Sequence, residues 1–484
     1  MNGGSSRGAR EGPAPGAALE DRVDSAAMSE SRLVISVSGI RGIVGESLTP
    51  EVVATYAAAH GAAAAARTGC KAIVLGRDAR LSGPFLAAAA EAGLRSVGCD
   101  VLDVGMACTP TILLAVEDEE AAGGIALTAS HNPAPWNALK LASHRGMFLT
   151  PAEGAEVLSM VDGGRIPRVA WDASGGREAR PDATARHVER ILADPLVDVA
   201  AVRKRGFKVV LDTCAGAGAL PALPLLSQLR VEVDGLYLEP TGRFPRDPEP
   251  AAANLAELCE RVRALGADLG LAIDPDGDRL ALVDERGEAL GEDLTLALAA
   301  DYVLSERPGT VVTNLSTSQV VDRVAESHGE RVHRTAVGEV NVALGMIEVD
   351  SPIGGEGNGG VIYPPIHHTR DAPVGIALLL SFLARTGRSL SQAAAALPSY
   401  VIVKAKIPLE RIDGDGLLAR AEQALEAAEV DRTDGLKLLW PARQEWLHLR
   451  KSGTEPVVRL IAEAPDAAAA ERLLDRAREL AAAR

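Results

Sequence analysis

Gly124-Ile125-Ala126-Leu127-Thr128-Ala129-Ser130-His131-Asn132-Pro133 is the stretch on which the fold turns. Its apolar first part reads as a buried strand, and the strand gives way at Thr128 to a loop of small polar residues. A loop held by such a scaffold keeps a hydroxyl rigid yet open to substrate. Ser130 is the candidate nucleophile; an ordinary Ser/Asn/Pro turn with a capping hydroxyl is the alternative.

Upstream, Leu33 to Val37 reads as a strand, and Ser38-Gly39-Ile40-Arg41-Gly42 as a turn aiming Arg41 away from the sheet. Thr49 and Pro50 supply the N-cap and first position of an Ala-rich helix. A strand at Ala72 to Leu75 closed by Gly76-Arg77-Asp78, a helix from Gly83 to Ser96 and a strand at Asp100 to Val104 lead into the Ser130 stretch. This alternation predicts an α/β fold with a mainly parallel, helix-covered sheet.

Downstream, the Gly-, Pro-, Arg- and Asp-rich segment 163–182 reads as a boundary. A strand at Lys208 to Leu211 then ends in Asp212-Thr213-Cys214-Ala215-Gly216-Ala217-Gly218, and one at Asp268 to Ile273 ends in Asp274-Pro275-Asp276-Gly277-Asp278-Arg279. With Ile73 to Asp78 these make three apolar strands that each run into an Asp/Gly loop, which suggests a triplicated unit. After Ser399 come strands at Tyr400 to Ile407, Leu436 to Leu439, Trp446 to Leu449 and Val457 to Ala462, with helices at Leu417 to Ala428 and at the C-terminus, an α+β pattern. The expected organisation is a disordered tail over 1–30, three similar mixed, mainly parallel-sheet α/β domains over 31–168, 169–265 and 266–398, and a C-terminal α+β domain over 399–484.

The chain's 484 residues and 47% hydrophobic content suffice for several cores. A net charge of −16 argues against nucleic-acid binding and requires any anionic substrate to meet a locally basic site. Cys70, Cys99, Cys108, Cys214 and Cys259 show no metal-ligand spacing and fit reduced thiols in a cytoplasmic protein. No apolar run reaches the roughly 18 residues of a membrane span. The tail has no apolar signal core, and Met28 is an alternative start.

Asp274, Asp276 and Asp278 alternate along an extended loop, so their carboxylates converge and call for a hard divalent cation such as Mg²⁺. An EF-hand is a rival reading, although Arg279 stands where its Gly belongs; an aspartyl-phosphate phosphatase is another. Gly354-Gly355-Glu356-Gly357-Asn358-Gly359-Gly360 brings one acid and one amide close to a polyhydroxy ligand, or is a flexible hairpin. His367 and His368 read as hydrogen-bonding or surface residues. Arg450-Lys451-Ser452-Gly453-Thr454, with Arg459 beyond, reads as a phosphate cradle or a solvated hairpin tip.

These four loops in this order resemble those of the α-D-phosphohexomutases, from Val34 to the C-terminus. The resemblance implies four domains around a central cleft. In it, Ser130 is the phosphoserine and a metal ligand together with Asp274, Asp276 and Asp278. Glu356, Gly357 and Asn358 contact the sugar, and Arg450, Ser452, Gly453, Thr454 and Arg459 hold the distal phosphate. Arg41, His131, Lys140 and Arg279 match supporting catalytic positions, with Lys140 a candidate proton relay. Asn358 and Gly360 stand where many members have Ser and His, a pattern like the phosphoglucosamine mutase branch.

The implied reaction moves phosphate between O6 and O1 of a hexose phosphate through a bisphosphorylated intermediate. Glucosamine 6-phosphate is the first expectation and glucose or mannose phosphates the alternative. Mg²⁺ and a hexose 1,6-bisphosphate activator are implied, with neither nucleic acid nor membrane as partner and a monomer or homodimer as the assembly. A Mg²⁺-dependent sugar phosphatase and a silent sugar-phosphate-binding protein are the remoter readings.

Overall fold

The computed structural model describes residues 33–36, 39–453 and 456–482. The expected tail over 1–30, Ser38 and the phosphate-cradle residue Thr454 lie outside them. Among the described residues no helix is long and apolar enough to cross a membrane.

Four sheets organise the chain. The first contains β1 (Val34–Ser36), β2 (Gly39–Ile43), β3 (Ala72–Arg77), β4 (Asp100–Met106), β5 (Gly123–Leu127), β6 (Trp136–Ser143) and β7 (Arg177–Ala179), in the order β1-β2-β6-β5-β3-β4-β7. The second holds β8 (Lys208–Asp212), β9 (Glu232–Leu236), β10 (Leu269–Ile273) and β11 (Leu280–Val283), ordered β11-β10-β8-β9. The third holds β12 (Val311–Asn314), β13 (Val332–Thr335), β14 (Gly354–Glu356) and β15 (Gly360–Ile362), ordered β13-β12-β14-β15.

One plan recurs in all three. The opening strand is central, the next two flank it in parallel, and a fourth runs antiparallel beside the third. The expected triplication is therefore present, but its equivalent opening strands are β3, β8 and β12. The similarity between the ends of β8 and β10 paired a first strand with a third. The turn between third and fourth strands carries the Ser130 loop in the first unit, the aspartates in the second and Gly357 to Gly359 in the third.

Two expected boundaries change. β10 pairs with β8, so the aspartate loop belongs to the second unit, and a division at 265/266 cuts through one sheet. Gly266, at φ +56, ends the helix Ala256–Leu265 and turns the chain into β10; it is a C-cap, not a linker. Likewise β7 pairs with β4, so the first sheet extends past 168/169. The second and third units also share a core in which Leu211 and Leu271 join Leu296 and Leu378, whereas the first and fourth have their own.

The expected turn around Arg41 is strand β2, which pairs with β1 and β6 and sets Arg41 opposite Ala138. Gly39 permits this approach: its φ is +123, and a Cβ there would lie 2.1 Å from Leu139 O.

The fourth sheet is antiparallel throughout: β16 (Val401–Pro408), β17 (Glu429–Asp431), β18 (Leu436–Trp440), β19 (Glu445–Lys451) and β20 (Val457–Ala464), ordered β16-β20-β19-β18-β17. Helices Gly414–Ala424 and Ala467–Ala482 contribute Leu417, Leu474 and Ala477 to its core. The first helix stops before the expected Ala428, and the short edge strand β17 follows it.

Candidate active site

Ser130 has a left-handed backbone, φ +48, uncommon for a residue with a Cβ. Its N–H donates to Thr128 Oγ1 (3.0 Å), whose hydroxyl donates to Asp78 Oδ2 (2.6 Å). Arg80, only 1% exposed, pairs with Asp78 and donates to the carbonyls of Ser130 (2.7 Å), Asn132 (2.6 Å), Pro133 (2.9 Å) and Trp136 (2.9 Å). Asp78 and Arg80 thus mould the serine loop. The sequence reading missed them as site residues, because nothing in their spacing links the end of β3 to the end of β5.

Ser130 Oγ donates to Asp274 Oδ2 (2.8 Å) and lies 3.3 Å from His131 Nδ1. The Arg279 guanidinium, burial and Arg41 hold the His131 imidazole well below its ordinary pKa. Arg41 Nη1 donates to Asn132 Oδ1 (3.0 Å).

The three aspartates are fully buried, with ligand oxygens mutually within 4.8 Å. Asp274 Oδ1 accepts the N–H groups of Asp278 and Arg279, while buried Asp276 Oδ1 and Asp278 Oδ1 have no hydrogen-bond partner. Burial and the charges of Asp278 and Asp276 push the Asp274 carboxyl well above its ordinary range. Hard oxygen donors, unsatisfied and mutually repelling, fit a divalent cation. Flanking β10 and β11 exclude the helix-loop-helix of an EF-hand. Gly277, at φ +76, packs where a Cβ would lie 2.8 Å from Cys108 Cβ.

Lys140 projects from β6 and donates to Asp276 Oδ2 (2.7 Å), which also accepts from Thr109 Oγ1 (2.7 Å). Burial opposes the Lys140 charge, but Asp276 and Asp278 outweigh it and raise the pKa. Paired with Asp276 and 3.8 Å from Asp278, Lys140 balances the charge of the carboxylate cluster. Arg279 lies 3.8 Å from Asp278 and 3.6 Å from Glu249.

Arg370 joins the aspartate and glycine loops. It donates to Asp278 Oδ2 (2.6 Å), Glu339 Oε2 (3.1 Å) and Glu356 Oε2 (2.8 Å). Glu356 Oε1 accepts from Asn314 Nδ2 (2.8 Å) and Gly338 N (3.2 Å), and its Oε2 also meets Asn358 Nδ2 (3.4 Å). Burial raises the Glu356 pKa, but Arg370 and these donors outweigh it. In this arrangement Glu356 shapes the loop, and Asn358 Oδ1, buried without a hydrogen bond, is the acceptor left for a ligand. Arg370 and Glu339 escaped the sequence reading because their partners are brought in by folding.

His367, as expected, is a hydrogen-bonding residue. Its Nε2 and that of His187 both meet Asp371 Oδ2, at 2.8 and 2.7 Å, and all three side chains are fully buried. Burial lowers the His187 pKa, but Asp371 overrides it and the net position is about 10.

In the fourth sheet, pairing sets Lys406 opposite Arg459 and Arg459 opposite Arg450, a basic row across three strands. Lys406 was not among the expected residues; only the pairing register reveals it. Arg450 Nε donates to Asp434 Oδ2 (3.0 Å), Ser452 N donates to Val457 O (2.9 Å), and a Cβ on Gly453 would meet open space.

Three repeated α/β units and an α+β unit thus carry a buried serine, a carboxylate cluster and a basic row on their loops and strands. The family models described as phosphoglucomutase/phosphomannomutase alpha/beta/alpha domains I, II and III and C-terminal domain match residues 32–165, 185–287, 291–400 and 403–480. The chain belongs to this α-D-phosphohexomutase family.

A phosphoglucomutase/phosphomannomutase of Thermococcus kodakarensis is 38% identical over 445 residues, spanning 90% of this chain and 96% of that protein. A probable phosphoglucosamine mutase of Methanopyrus kandleri is 38% identical over 444 residues, spanning 90% and 95%. Among solved structures, a phosphoglucomutase/phosphomannomutase family protein from Burkholderia thailandensis superposes with a TM-score of 0.82 at 28% identity, covering 92% of this chain and 96% of its own.

Proposed function

We propose that this enzyme moves a phosphoryl group between O6 and O1 of a hexose phosphate, with Ser130 as the phosphate carrier. The observation that carries the reading is Ser130 Oγ seated on Asp274 in a carboxylate cluster that Arg370 links to the Glu356 loop. Asp274, Asp276 and Asp278 would hold Mg²⁺, with Ser130 completing the set. The cation supplies charge neutralisation for a phosphate on the serine.

In the forward half-reaction the bond from phosphorus to Ser130 Oγ breaks and one to the free sugar hydroxyl forms. The sugar hydroxyl gives up a proton and the released Ser130 Oγ takes one up, with the His131 imidazole beside Oγ as the carrier. Lys140 and Arg279 stabilise developing charge, and Arg41 steadies the loop through Asn132. Asn358 and the Glu356 loop orient hydroxyls. Arg450, Ser452, Gly453, Thr454 and Arg459 grip the phosphate that is not reacting. The bisphosphate then turns and returns its other phosphate to Ser130, so a trace of hexose 1,6-bisphosphate activates enzyme that has lost its phosphate.

Glucosamine 6-phosphate is the proposed substrate, supported by the Gly-Glu-Gly-Asn-Gly-Gly loop and by the probable phosphoglucosamine mutase relative. A phosphoglucomutase/phosphomannomutase relative of equal identity favours glucose or mannose phosphates as the second reading. The proposed setting is the cytoplasm, as a monomer or homodimer.

Ser130→Ala is expected to abolish turnover and bisphosphate-dependent labelling of the protein; normal turnover in that variant sinks the carrier role. Comparing kcat/KM for glucosamine 6-phosphate, glucose 1-phosphate and mannose 1-phosphate tests the substrate, and the glucosamine assignment fails if its compound is the poorest.

A further inference from the structure

One face of the fourth sheet presents Lys437, His448 and Glu463 to residues 315–319 of the third unit. Lys437 Nζ donates to Leu315 O (2.6 Å), Ser316 Oγ and His448 Nδ1 share a hydrogen bond of 3.0 Å, and Glu463 accepts from Ser318 Oγ and from Gln319 N (3.0 Å). The same segment shapes the sugar loop: Asn314 Nδ2 donates to Glu356, and Thr317 Oγ1 accepts from Gly357 N (3.0 Å).

Next to this docked face lies the basic row of Lys406, Arg459 and Arg450, and Asp434 stands at its end. Asp434 Oδ2 accepts both from Arg450 Nε (3.0 Å) and, across the unit boundary, from Val337 N (3.0 Å). The next residue, Gly338, donates its N–H to Glu356 Oε1 (3.2 Å). One carboxylate oxygen therefore ties the phosphate loop to the backbone that supports the sugar loop. Gly435 permits the geometry: its φ is +83, and a Cβ would lie 2.9 Å from Arg450 Cα.

We propose that Asp434 is a positioning residue that sets Arg450 at a fixed distance from the sugar loop and latches the fourth unit onto the third while a bisphosphorylated sugar changes ends. The inference rests on the mutase reading above. An arginine oriented through Nε keeps its two Nη groups for a bidentate phosphate contact. To turn, the intermediate must release the contacts that hold it in either orientation, so its retention depends on the latch more than the chemical step does.

The test follows the intermediate. Enzyme phosphorylated on Ser130 is mixed with hexose 1-phosphate, and bisphosphate free in solution is counted per product formed by phosphorus NMR. In Asp434→Ala the escaping fraction, and the bisphosphate concentration giving half-maximal rate, are expected to rise about tenfold, the scale of one charge-assisted hydrogen bond. The fall in kcat at saturating bisphosphate is expected to be much smaller. Asp434→Asn, which keeps an acceptor oxygen at that point, restores most of the retention. Wild-type escape in Asp434→Ala overturns the inference, as does equal leakage from both variants with a matching loss of melting temperature. A wild-type enzyme that interconverts no hexose phosphate overturns the mutase reading and the inference with it.

Discussion

Replacing Arg80 by Met removes the guanidinium that moulds the serine loop while keeping most of the side-chain volume. Arg80 donates to four loop carbonyls and pairs with Asp78, itself 1% exposed. The carbonyls of Asn132, Pro133 and Trp136 lie where water can replace the lost donor, whereas Ser130 O and Asp78 are buried. One buried carbonyl left unpaired, and a buried carboxylate that keeps the Thr128 hydroxyl and the residue-80 N–H but loses its counter-charge, cost about 3–5 kcal/mol of stability.

The consequence for the site is larger than the loss of stability. A non-glycine residue in the left-handed region is strained by about 1–3 kcal/mol, so without Arg80 the Ser130 backbone relaxes toward the β region. Oγ then leaves Asp274, and a shift of about 1 Å slows phosphoryl transfer on the order of 100-fold. Urea unfolding measures the first effect, and the rate of Ser130 phosphorylation from hexose 1,6-bisphosphate the second. Arg80→Lys keeps a cation for Asp78 but cannot span four carbonyls, and falls between. A Met variant that loses under about 1 kcal/mol and phosphorylates Ser130 at the wild-type rate refutes the reasoning.

Chelating divalent cations is expected to stop turnover and lower the melting temperature, with Mg²⁺ restoring both. A cation at 100 times its Kd stabilises by about 2.7 kcal/mol, and unchanged melting on chelation counts against the carboxylate site. His187→Gln is expected to flatten the pH dependence of stability above neutrality. The His187 pKa near 10 lies above its unfolded value of 6.5, so its stabilisation is complete below pH 6.5 and is lost as pH rises toward 10. Within that window it contributes a slope of up to about 1.4 kcal/mol per pH unit. Urea titrations at pH 6.5, 8 and 10 compare the two proteins, and an identical slope in the variant removes His187 as the cause.

Features carried by neighbouring residues were legible in the sequence. Ser130, the alternating aspartates, Glu356 with its glycines and Arg450 with Ser452 each declare themselves within one short loop, because an extended chain places nearby residues on a common point. The α/β class and the α+β character of the last unit follow from the periodicity of apolar runs, which burial enforces locally. Boundaries were less legible: Gly266 and the segment 163–182 look like linkers, yet β10 and β7 pair back into sheets already begun.

By itself, then, the sequence determined the α/β and α+β classes, the order of the four loops and the residue types each offers. Only the tertiary structure decided that the three units share one strand order, so that three unlike loops occupy the same turn. It also decided which distant charges meet: Arg80 under Ser130, Arg370 between Asp278 and Glu356, Asp434 between Arg450 and Val337. The physical reason is that such partners are set by strand pairing and unit docking, and a buried charge finds its counter-charge in space rather than along the chain.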